Sequence, residues 1–127
     1  MIGGYGIHQQ SPMTGEKTFT NLNTVALWGD IQTQGKHFKA GLFVGYTSNL
    51  GTSETIQGAM FARGTDISNV FRISPGISYE QKAIIIALEC EYTSASYGNA
   101  NGDGMGKATD TENVANLRSL LSVKYSF

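Results

Sequence analysis

The residues able to do chemistry in this chain are few, and most of them are spaced in twos. Arg72, Glu89, Glu91, Arg118 and Lys124, together with Asp30 and Lys39, fall on the polar side of stretches in which apolar and polar residues alternate. That is the period-2 pattern of a two-faced strand. Opposite charges on one face of adjacent strands form cross-strand pairs, and pairing is the expected role here. Catalysis has little to work with. His8 and His37 are the only histidines; the first lies in an ill-defined Gly-rich stretch and the second abuts a turn, so no Ser-His-Asp arrangement is expected. Cys90 is the single cysteine, which excludes an intramolecular disulfide or a CxxC site. It sits on an apolar face and reads as a small packed or outward-facing residue rather than a nucleophile. Asn99, Asn101 and Asp103, with Asp110 further on, mimic the oxygen spacing of a calcium loop. Without flanking helices or a bidentate Glu, a solvated loop is expected there. The chain is therefore read as a non-enzyme without metal or cofactor.

Composition points the same way. Charged residues make up 15% of the chain, against about 25% in ordinary soluble domains, while glycines number 16 and prolines two. A net charge of −1 supplies no basic surface for nucleic acid. No apolar run is long enough for a membrane-spanning helix, so only β-strands remain as an element able to cross a bilayer. Met1 is followed by IGGYGIHQQ, which has no signal-peptide pattern. The expectation is that the chain begins inside a larger barrel whose N-terminal strands precede it.

The elements that must position these residues are strands. Met1–His8 reads as the end of one, followed by a polar loop over Gln9–Lys17. Thr18–Gln32 and His37–Asn49 alternate around a turn at Gln34–Lys36. Leu50–Asn69 is a long polar connection with room for a short strand. Val70–Tyr79 and Ala83–Tyr97 form a hairpin turning at Glu80–Gln81, with Pro75 marking an irregularity. After a flexible loop over Gly98–Glu112, Asn113–Phe127 is the last strand. The two hairpin registers place Asp30 opposite Lys39, Trp28 over Gly41, and Arg72 opposite Glu89 with Glu91 one diagonal step away. Arg118 falls near Glu91 across the last loop.

Connections alternate between long and short, as in membrane barrels with short turns on one side and long loops on the other. Phe38 and Tyr46 lie eight residues apart on one face, as do Phe71 and Tyr79. At about 3.3 Å per residue and a tilt of about 40°, that spacing spans about 20 Å, close to the ~25 Å apolar band between aromatic girdles. Tyr92, Tyr125 and Phe127 belong to the same interfacial set. Inward Trp28, Phe43, Ile85 and Leu120 depart from a wholly polar interior and suggest loops folded inward.

The ending NVANLRSLLSVKYSF resembles the C-terminal strand of a Gram-negative outer-membrane β-barrel. With YTSNLGT, FARGTDISNVFRISPGISY and ALECEYTSASYG, it is similar to the C-terminal part of porin-like proteins of the Bacteroidota kind. The resemblance implies an all-β, antiparallel up-and-down transmembrane barrel, of which residues 1–127 supply five to six strands as a single segment. It implies passive diffusion of small hydrophilic solutes across the bacterial outer membrane, with lipid, missing strands or another chain, and a possible homo-oligomer, as partners. In that setting the inward charges line water. A soluble ligand-binding barrel or sandwich and a non-conducting outer-membrane adhesin or assembly component are the alternatives.

Overall fold

A computed structural model describes residues 2–127. Alternation governs the architecture: the described residues form seven β-strands and no helix. They are β1 (Gly3–Gln10), β2 (Lys17–Gln32), β3 (Phe38–Gly51), β4 (Met60–Arg63), β5 (Ile67–Gln81), β6 (Ile84–Asn99) and β7 (Thr109–Tyr125). One antiparallel sheet contains all seven, in the order β4-β1-β2-β3-β5-β6-β7. The all-β, up-and-down expectation is met, and the strand count is corrected from five or six to seven.

The extra strand is β4, inside the long 50–69 connection. It leaves its sequence neighbours and pairs with β1, Gly3 with Arg63 and Tyr5 with Phe61. Glycines make this approach possible, since a Cβ at Gly4 would collide with Ala62. Pairing of β1 with β2 slips by one residue at His8, a bulge between Ile7 and Gln9. Pro75 lies inside β5, which runs through it unbroken from Ile67 to Gln81; the proline withholds one N–H from the ladder.

Both expected hairpin registers are corrected. Between β2 and β3, the Thr33 N–H donates to Ala40 O at 2.8 Å, while Ala40 N–H donates to the Thr33 hydroxyl at 2.9 Å. A side-chain oxygen thus ends the ladder early, and the turn widens to the residues between Gln32 and Phe38. Between β5 and β6, Glu80 is retained on its strand because its N–H donates to His37 O at 2.7 Å. The turn moves on to Lys82–Ala83, where Lys82 takes a φ of 52°. Each correction displaces the pairing by two residues per strand, so the faces stay as expected.

The chain divides into two units. Unit 1 comprises residues 1–26, 47–70 and 95–114, and every residue buried among the described ones lies in it. Ile2, Ile7, Leu22, Ile56, Ala95 and Ala108 are its apolar core. The 52–59 segment lies on β1, with Ile7 N–H donating to Ala59 O and Gln57 and Gly58 N–H donating to Ile7 O, each at 3.0 Å. It also meets the 100–107 loop, through Thr52 N–H to Met105 O and Ile56 N–H to Gly104 O, each at 2.7 Å. Buried Asn49 is satisfied at both ends, donating to Gly106 O and accepting from Gly51 N–H at 2.9 Å each, as a buried amide must be.

Unit 2 comprises residues 27–46, 71–94 and 115–127 and has no buried residue. It is a sheet with one apolar face and one charged face. Val44, Ile77, Leu88, Leu121 and Val123 are among the exposed large side chains of the first.

Candidate functional site

The charged face of unit 2 is built from alternate residues of β2, β3, β5, β6 and β7. Strand geometry sends every second side chain to the same side. On that side Asp30, Gln32, Phe43, Arg72, Ser74, Glu89 and Glu91 line an open groove of about 360 Å³. Gly41 and Gly76 line it too and leave its floor without side chains.

Glu91 is the hub of the ionic contacts. Its Oε2 lies 3.5 Å from an Arg72 guanidinium nitrogen and 3.4 Å from one of Arg118. Arg72 Nε also donates to Thr93 Oγ1 at 3.2 Å. The charges therefore bridge β5, β6 and β7, as Arg72, Glu91 and Arg118. Glu89 lines the groove but is in no ion pair among the described residues. The expected Arg72–Glu89 pair is corrected for a geometric reason: with the hairpin turning at Lys82–Ala83, Arg72 reaches Thr93 and its diagonal neighbour Glu91.

Asp30 and Lys39 do not meet either. Lys39 Nζ sits 2.9 Å from Glu80 Oε2 across β3 and β5, and His37 Nδ1 lies 3.1 Å from Glu80 O. Asp30 is left facing the groove. Lys124 enters no ion pair among the described residues; near it, Ser126 N–H donates to Ala83 O at 2.9 Å. Trp28 stands across from Gly45 rather than Gly41: the Trp28 Cβ lies 3.9 Å from a Cβ built on Gly45, over which the Phe43 ring lies, while Gly41 faces Gln32. Glu80 and Thr93 are partners that sequence reasoning missed, because both follow from where the turns close.

Phe38, Tyr46, Tyr79, Tyr92 and Tyr125 are exposed and Phe71 is half-buried. Phe127 lies beyond β7, its ring 6.4 Å from that of Tyr125. An exposed aromatic group not singled out from sequence joins Tyr5 to Phe19 and Phe61, at 5.5 Å each. Cys90 is half-buried, with Sγ 3.5 Å from Ser119 Oγ. In the 99–110 loop the oxygens turn to internal donors. Asn101 accepts from Gly106 N–H, Asp103 from Met105 and Lys107 N–H, and Asp110 from the Asn99 amide. No three His, Cys, Asp or Glu side chains among the described residues are grouped to hold a metal ion.

The chain matches no protein-family model, no curated protein and no solved structure.

Energetically, the Glu91 cluster is modest. Arg72 is 48% exposed and Arg118 is 61% exposed, so solvent screens both pairs. Arg72→Ala or Arg118→Ala should each cost at most ~1 kcal/mol of stability. The loss should shrink as salt is raised. Urea unfolding of the single and double variants at low and high salt measures this; a salt-independent loss of several kcal/mol would refute the screened pairing.

Proposed function

We propose that the chain forms part of the wall of a bacterial outer-membrane, porin-like β-barrel that lets small hydrophilic solutes diffuse passively. The observation that carries this reading is the two-faced sheet of unit 2, with no buried residue and exposed Leu, Ile and Val along one side. In water such a face would have to be covered, because contiguous apolar patches beyond a few hundred Å² are rare on soluble monomers. In a bilayer, lipid covers it, and Phe38, Tyr46, Tyr79 and Tyr125 suit the interfaces. The opposite face carries Asp30, Arg72, Glu89 and Glu91, side chains that suit a water-filled interior.

Partners follow from the sheet edges. One side of β7 is unpaired, and β1 covers β2 only as far as its Leu22 end. Open edges are not tolerated in hydrocarbon, and bacterial barrels close with an even number of strands from eight upward. Further strands, from a longer form of this polypeptide or from other copies, complete the wall in this reading.

A second reading has its own support. Ile56 and Gly106 pack beside Leu22 in unit 1, so loops occupy the inward face of strands there. That favours a non-conducting adhesin or assembly barrel. Two measurements decide. The protein should be monodisperse only with detergent; a monodisperse detergent-free preparation would remove the membrane reading. In planar bilayers, a steady ohmic conductance is expected of the porin, and its absence would favour the closed barrel.

A further inference from the structure

We propose that unit 1 carries a docking surface for anionic lipid headgroups on the face of β1, β2 and β4 turned away from the loops. Lys17 and Arg63 bind the phosphate, and Tyr5, Phe19 and Phe61 rest on the adjoining glycerol and upper acyl chain. The inference rests on that face meeting lipid, as in the membrane reading, and adds which lipid it selects.

Three rings form the centre of this surface. Tyr5 pairs with Phe61 across β1 and β4, and Ile7 pairs with Phe19 across β1 and β2. Paired residues and their second neighbours share a face, so the rings stand in one row. Their centroids are 5.5 Å apart at each step, from Phe19 to Tyr5 and from Tyr5 to Phe61. The other face of the same strands is filled: a Cβ on Gly6 would meet Ile56 at 2.8 Å, and one on Gly106 would meet Leu22 at 2.8 Å. The rings themselves stay uncovered, with Tyr5 44%, Phe19 55% and Phe61 53% exposed.

A cation belongs to each end of the row. Arg63 pairs with Gly3, two residues from Phe61 on the same face, and Lys17 is two residues from Phe19 along β2. Both are exposed, and neither enters an ion pair among the described residues. Neighbouring acids are held elsewhere: Glu16 accepts from the Thr14 hydroxyl at 3.4 Å, and Glu54 lies beside His8. Unpaired cations around an apolar centre call for an anion that carries hydrocarbon. A free inorganic anion would leave the rings in water, and a neutral ligand would leave the cations unused. Aromatic side chains favour the headgroup level of a bilayer, and Lys and Arg beside it attract anionic lipid. In the membrane reading this outward face already meets lipid, which favours a headgroup over an acidic protein segment of the same charge.

Trp28 is the only tryptophan, so Trp28→Phe combined with Phe19→Trp places the sole indole in the row; Phe61→Trp serves if that variant does not fold. In vesicles of brominated phosphatidylcholine its emission should be quenched. Unbrominated phosphatidylglycerol should relieve the quenching at lower mole fraction than unbrominated phosphatidylcholine, with a preference of roughly fivefold per cation. Lys17→Gln and Arg63→Gln should each remove about one such fivefold factor, with an unchanged far-UV spectrum, and high salt should weaken the preference. Soluble glycerol phosphate should leave the emission unchanged. The proposal is overturned if brominated lipid does not quench the reporter, if phosphatidylglycerol has no preference, or if the preference survives both Gln substitutions. It is also overturned if polyglutamate, rather than lipid, alters the emission, which gives the surface to an acidic protein, or if the emission follows the protein-to-lipid ratio, which gives it to a second copy. A chain that does not float with the vesicles refutes the membrane wall itself; one that floats without lipid preference removes this surface alone.

Discussion

Gly51→Ala should lower the unfolding free energy by about 2–5 kcal/mol, through backbone strain and a clash together. Gly51 takes a φ of 77°, in the left-handed region, where a side chain costs roughly 1–2 kcal/mol. An added Cβ would stand 2.6 Å from Met105 O, a backbone atom that cannot swing aside. Forcing the two apart costs a further ~1–3 kcal/mol. It also strains the bond from Thr52 N–H to Met105 O and the buried Asn49 bridge to Gly106. Gly104 is the internal control. Its φ is 72°, but nothing lies within 4 Å of its added Cβ, so Gly104→Ala should cost only the roughly 1–2 kcal/mol of strain. Urea unfolding in detergent, followed by far-UV dichroism, compares them. Equal losses would mean that the 104–106 segment is not held against the end of β3.

The same contacts explain what was legible beforehand. Long strands could be read because their alternation persists: β6 and β3 begin and end within two residues of the pattern, whereas β7 starts four residues earlier than expected, at Thr109, which shortens the loop expected over Gly98–Glu112. The last loop was legible in register as well. Arg118 falls beside Glu91 as expected, and the same register accounts for Cys90 with Ser119 and Ser96 with Asn113. The two tight hairpins were not legible. Their closure depends on the Thr33 hydroxyl and on the His37 carbonyl holding Glu80, single contacts that leave no periodic signal. A shift of two residues preserved the faces but exchanged partners, so Glu91 replaced Glu89 and Gly45 replaced Gly41. The strand β4 was beyond reach for another reason. Four residues carry too little alternation, and its partner β1 lies more than fifty positions away in the chain.

Two adjacent leucines of β7 distinguish a wall in lipid from a sheet in water. Leu121 is 67% exposed on the apolar face and Leu120 is 52% exposed on the charged one. In water the two positions are nearly equivalent, and arginine at either should change stability by less than about 0.5 kcal/mol. In a bilayer they are opposites. Leu121 lies between Leu117 and Tyr125 on its face, well inside the apolar band, where arginine facing lipid costs about 2–4 kcal/mol. Leu120 shares its face with Arg118 and Lys124, so an arginine there stays hydrated and meets mainly like charge, a penalty that salt screens. Leu121→Arg should therefore lose several-fold more folding free energy in lipid vesicles than Leu120→Arg, with the difference maintained at high salt. Equal and small effects would place both faces of β7 in water and remove the barrel wall from consideration.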